Sequence, residues 1–194
     1  WLAYTVTGVL ALVTAQPGSP VAQLYLAAGV GLGLVMGWGP RMLWAVALGG
    51  ACVTAIDHTL LQSPVGWAGF AAQALVSGLG AGLQVWVACR LTAGKTWPIE
   101  LHLDQPGQIA RFLLLAGPVA CLINPVLSVS SMLALGIIEP KAALTSGFSW
   151  WAADTMGVLM CTPIVLTLVG QPLELWRSRQ RIVGAPLLIT TLLL

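Results

Sequence analysis

Read for apolar and polar positions, the chain is a series of long apolar runs broken by proline, glycine and charge. The first run, 1–16, stops at "PGSP" (17–20). A second covers about 21–38 and ends in "GWGPR"; a third covers about 41–56 and gives way to the loop "DHTLLQSPVG". The fourth, about 67–91, precedes the polar stretch "TAGKTWPIELHLDQPGQ". The fifth, about 109–136, contains Pro118 and Pro125, and "IIEPKAALTSG" separates it from the sixth, about 148–169. "QPLELWRSRQR" then leads to a seventh run that starts near Ile182.

Such lengths suit helices. A spanning helix needs about 20 apolar residues, whereas barrel strands show alternation over about 10. The pattern therefore predicts an all-α polytopic transmembrane bundle with about seven helices over 1–194, read as one domain. The chain begins at Trp1 and ends in the apolar "APLLITTLLL", so the reading expects a piece of a longer protein, truncated at both ends. Pro118 and Pro125 each remove a backbone donor, and Asn124 lies between them. A kink or break is expected between about 117 and 126.

Composition removes the soluble alternative. The chain is 58% hydrophobic and 7% charged, against about 25% charged in soluble domains. Membrane lipid is thus the first partner, and nothing points to nucleic acid. The positions of the charges say more than the net +2. Arg41, Arg90, Lys95, Arg111, Arg177, Arg179 and Arg181 fall in alternate connections, and Lys141 alone falls on the other side. The positive-inside rule then makes the arginine-rich side cytoplasmic, with a cytoplasmic N-terminus. Asp57, His58 and Glu139 face outward in this topology.

"SWWAADTMGVLMCTP" (149–163) places a carboxylate, Asp154, inside an apolar run. At about two turns from the expected outer end, that charge costs several kcal/mol unless it is hydrated, protonated or paired. It is either a ligand, ion, proton or signalling site, or a structural hydrogen bond to a neighbouring helix. Trp150 and Trp151 read either as an aromatic belt or as the lining of such a site. At helical spacing Trp150, Asp154, Gly157 and Cys161 share one face, which suits protein contact better than lipid.

Other intramembrane polar residues cluster toward the expected outer half: Gln73 and Ser77 in the fourth run, Asn124 near the middle of the fifth and Ser128 beyond it. Gln84 is the main exception, toward the inner side. Polar groups at one depth on several helices predict a water-accessible cavity open to the outside. The competing reading is that the serines and threonines bond their own helix backbones. "GVGLG" (29–33) and "GLGAG" (78–82) carry the GxxxG spacing that lets backbones approach.

Catalytic and cofactor chemistry finds no footing. Cys52, Cys89, Cys121 and Cys161 are scattered through apolar runs without metal or disulfide spacing. His58 and His102 fall on opposite sides of the expected topology. No metal, cofactor or catalytic constellation is expected.

Three stretches carry a family resemblance: "LYLAAGVGLGLVMGWGPRMLW", "AAQALVSGLGAGLQVWVACRL" and "FSWWAADTMGVLMCTPIVL". Together they resemble the type-one membrane-associated sensor domain (MASE type 1) of bacterial signalling proteins, over most of residues 20 to 170. Trp150, Trp151, Asp154, Gly157, Leu159 and Pro163 match its W-W-x-x-D-x-x-G-x-L-x-x-x-P pattern, and Ala28 and Gly29 match its Ala-Gly step. The resemblance implies an eight-helix sensor in the bacterial inner membrane, working as a homodimer. It also implies a soluble output domain after residue 194: a histidine kinase, a diguanylate cyclase or a cyclic-di-GMP phosphodiesterase. The signal, whether a small molecule or a membrane protein, is left open.

Two function classes follow. One is a sensory input module whose helix packing responds to a signal. The other is a small-molecule or proton-coupled transporter, or a membrane enzyme, using Asp154.

Overall fold

A computed structural model describes residues 1–14, 24–61, 66–93 and 106–170. Among these residues the chain is all-helical. Six helices form: α1 (Leu2–Val13), α2 (Leu26–Trp38), α3 (Met42–Leu61), α4 (Trp67–Ala93), α5 (Pro106–Ala134) and α6 (Pro140–Gly170). Three of them, α4, α5 and α6, are long and apolar enough to cross a membrane. The expected seventh run and the basic connection before it lie outside the described residues, as do Lys95, His102 and Gln23.

Helix ends follow local chemistry. Pro140 opens α6 at a position where a missing N–H costs nothing. The helix therefore starts inside the stretch 137–147 that was expected to be loop, and Lys141 rides on its first turn. Asp57, also expected in a loop, lies on α3, which runs on to Leu61. Gly136 closes α5 with φ +67, and the N–H of Ile137 reaches back to the Met132 carbonyl at 2.8 Å. This is the glycine-terminated helix end in which a left-handed residue lets the chain turn back on its own carbonyls.

α5 is not a uniform helix. Pro106–Arg111 is α-helical, Phe112–Val119 is a π-helix, Ala120–Leu122 is a 3-10 turn, and Ile123–Ala134 is α-helical again. The physical cause is Pro118, whose ring occupies the space of the preceding turn and whose nitrogen donates nothing. The expected irregularity between about 117 and 126 is present, and it begins earlier, at Phe112. Pro163 is tolerated inside α6, whose helix continues to Gly170.

Packing centres on α2, which touches α1, α3, α4 and α6. The tightest contact is α2 on α6, made by small residues. A Cβ added to Gly29 would collide with the Gly157 carbonyl, and one added to Gly157 would collide with the Tyr25 carbonyl. The Tyr25 N–H donates to the Ala153 carbonyl at 3.2 Å, and the Thr162 hydroxyl donates to the Gly29 carbonyl at 3.1 Å. Gly33 continues the seam against Val165. The GxxxG stripe of 29–33 thus joins two helices of one chain. The glycines of 78–82 are used likewise: Gly78 rests on the Ala47 carbonyl of α3, and Gly80 lies against Asn124. Both stripes are packed against other helices of the same chain. The buried centre is filled by Leu32, Val35, Met36, Val46, Val85 and Val158. Leucine, valine and tryptophan side chains such as Leu10, Trp44, Leu79 and Leu144 stand exposed around the outside, as expected of a surface that meets lipid.

Candidate functional site

Asp154 occupies the middle of the apolar stretch Pro140–Leu168, fourteen residues from either end (154 − 140 and 168 − 154). Because α6 starts at Pro140, the carboxylate sits deeper in its helix than run boundaries alone suggested. It is 5% exposed and points into the bundle. Its Oδ2 accepts a 2.9 Å hydrogen bond from Gln84 Nε2 on α4. The Asn124 carboxamide of α5 borders the same carboxylate.

Gln84 works at both ends. Its Oε1 accepts the backbone N–H of Asn124 at 3.2 Å. An N–H can only donate, so the carbonyl end of Gln84 must face α5 and its NH2 must face Asp154. That N–H would serve Ala120 in a regular α-helix. The π and 3-10 stretch has released it, and a side chain from another helix has taken it.

The irregular stretch exposes a second backbone group. The Pro118 carbonyl accepts the indole N–H of Trp151 at 2.7 Å. α6 therefore grips α5 at Pro118 through Trp151 and reaches it again at Asn124 through Gln84. Departures from α-helical winding of this kind recur at functional sites, because they leave backbone groups to be bonded by something else.

From Asn124 the polar chain runs along the α4–α5 contact. Ser128 Oγ donates to Asn124 Oδ1 at 3.2 Å, and Gln73 Nε2 donates to the Ser128 carbonyl at 3.5 Å. The single proton of Ser131 Oγ is shared between Gln73 Oε1 and the Ser128 carbonyl, 2.8 Å away. Gln73 and Ser128 are buried. Thr155, next to Asp154, is buried; its hydroxyl lies toward the Cys121 thiol and its methyl toward Gly117.

Four of the residues picked out in the sequence are brought together: Asp154, Asn124, Ser128 and Gln73. Gln73 stands one link further from the carboxylate than expected, acting through Ser128. Ser77 lies at the α3–α4 contact, where its carbonyl approaches Gly50, and stays outside the network. The indole that reaches across the bundle is that of Trp151; Trp150 is half-buried beside it. Gly157 serves the α2 contact. Pro118 supplies a freed carbonyl, and Pro125 is buried within α5.

Gln84, expected toward the inner side, instead meets the carboxylate of Asp154. Counting residues from the ends of runs does not give relative depth when helices cross. The available signal was that an amide in an apolar helix needs a partner as much as a carboxylate does.

Among the described residues no cluster of three metal-ligating side chains forms, and the cysteines are free. Comparison with family models, characterised proteins and solved structures finds no match.

Proposed function

We propose that the chain is the sensory input domain of a bacterial signalling protein. In this reading it is a polytopic bundle of seven spans here and eight when complete, set in the inner membrane with a cytoplasmic N-terminus. It acts as a homodimer and controls a soluble kinase, cyclase or phosphodiesterase that follows residue 194. The observation that carries the reading is the link Asp154–Gln84–Asn124, in which a buried carboxylate is joined to the irregular turn of a neighbouring helix.

The link can act as a switch. With Asp154 accepting from Gln84 Nε2, Gln84 Oε1 is held on the Asn124 N–H. A proton or a ligand donor on Asp154 competes for Gln84, and turning the amide would leave the Asn124 N–H without an acceptor. An unmet buried donor costs about 1–3 kcal/mol, enough to favour a different winding of α5. A signal that interacts differently with the two windings shifts their populations. Opening the polar chain along Gln73, Ser128 and Asn124 toward the outside would admit it. The dimer rests on the family resemblance, since the small-residue stripes are occupied within the chain.

The test uses the full-length protein in membranes. Asp154→Asn should leave folding intact and change the output activity by about five-fold or more, the lower end of ordinary allosteric coupling. Unchanged output, together with an Asp154-dependent solute or proton flux in proteoliposomes, would replace this reading with a transporter.

A further inference from the structure

We propose that the exposed face of α4 around Trp86 and Arg90 binds one anionic phospholipid. Its phosphate sits at the Arg90 guanidinium, and an acyl chain lies along Leu83, Leu79 and Leu75.

The face is built by spacing. Leu75, Leu79, Leu83, Trp86 and Arg90 fall within an arc of about 80° on a helix of 3.6 residues per turn. All five are exposed. The apolar stretch Trp67–Thr92 has 26 residues, about 39 Å of helix, close to the full thickness of a bilayer with its headgroups. Arg90 stands two residues from its end, at headgroup height. Trp86 is one turn deeper, where amphipathic rings settle, and the leucines continue into the hydrocarbon.

Arg90 is held in place. Its guanidinium carbon lies over the Trp86 ring, 5.5 Å from the centroid, a cation–π geometry. The ring fixes the long side chain against the helix, so less freedom is lost when a phosphate arrives. The planar guanidinium still presents N–H groups in the fork that phosphate oxygens match. The charge favours phosphatidylglycerol over phosphatidylcholine, whose choline cancels its phosphate. Arg41 immediately precedes α3 at the same end of the bundle and adds to the positive field.

Native mass spectrometry of the full-length protein tests this, in neutral detergent with equal amounts of phosphatidylglycerol and phosphatidylcholine. The wild type should retain phosphatidylglycerol preferentially. Arg90→Gln should reduce that retention about five-fold, the effect of one arginine at an anionic surface. Trp86→Leu should reduce it as well, and Arg41→Gln should leave it nearly unchanged. Both altered side chains of the site are exposed, so elution and thermal unfolding should match the wild type. Equal retention of the two lipids, or an Arg90→Gln protein that keeps the preference, would overturn the proposal. So would an equal loss in Arg41→Gln, which indicates a diffuse charged rim. Displacement by millimolar inorganic phosphate would assign the site to a free anion.

Discussion

Gln84 and Asp154, seventy residues apart in sequence (154 − 84), are joined by a buried 2.9 Å hydrogen bond between α4 and α6. The other end of the same amide holds a backbone N–H of α5. One side chain therefore ties three helices together, with the carboxylate at one end and an irregular turn at the other.

Asp154→Asn keeps the shape and an oxygen that can accept from Gln84 Nε2. We expect a folded protein with altered output. A bulky apolar replacement such as Asp154→Leu leaves the Gln84 amide unmet, at a cost of about 1–3 kcal/mol, and adds volume to a filled site. We expect loss of both folding and output, read by size-exclusion elution and thermal unfolding in mild detergent. Wild-type elution and unfolding of Asp154→Leu would show that the carboxylate is not part of a necessary network.

Gln84→Leu should be more damaging than its conservative volume suggests. It strips a partner from Asp154 and the acceptor from the Asn124 N–H at once, roughly 2–6 kcal/mol in sum. Hydrogen exchange should rise specifically at Asn124 and its neighbours on α5. Exchange that stays unchanged there would mean that the N–H finds its acceptor elsewhere.

Glycine substitutions separate the α2–α6 seam from open surface. Gly29→Ala drives a methyl into the Gly157 carbonyl, and overpacking of this kind costs about 1–3 kcal/mol or more. Gly107→Ala meets nothing within 4 Å on α5 and should be neutral or mildly stabilising, as alanine is the better helix former. Equal thermal stability of the two variants would contradict the close approach of α2 and α6.

Topology is testable by labelling in a cysteine-free background. The connections 91–110 and 170–181 are expected in the cytoplasm, and those around 57–66 and 137–147 outside. A cysteine at Gly66 should react with an impermeant reagent in intact cells, and one at Gly107 only after the inner side is opened. The reverse pattern would invert the proposed orientation.

The sequence by itself determined the helical class, because apolar runs of this length cannot leave backbone groups unpaired in hydrocarbon. It also pointed to Asp154, since a charge in such a run must be explained, and to α5 as irregular, since Pro118 removes a donor wherever the helix sits. The GxxxG stripe announced a close contact without saying with what. Tertiary structure decided the partners. It set Gly29 against Gly157, and it chose Trp151 over Trp150 to meet the Pro118 carbonyl. It also brought Gln84 to the carboxylate in place of Ser77. The reason is geometric: helical periodicity assigns residues to faces, but which faces meet, and at what height, depends on how the helices cross. Small shifts in a helix start, such as α6 beginning at Pro140, move a buried charge by several ångströms along the bundle.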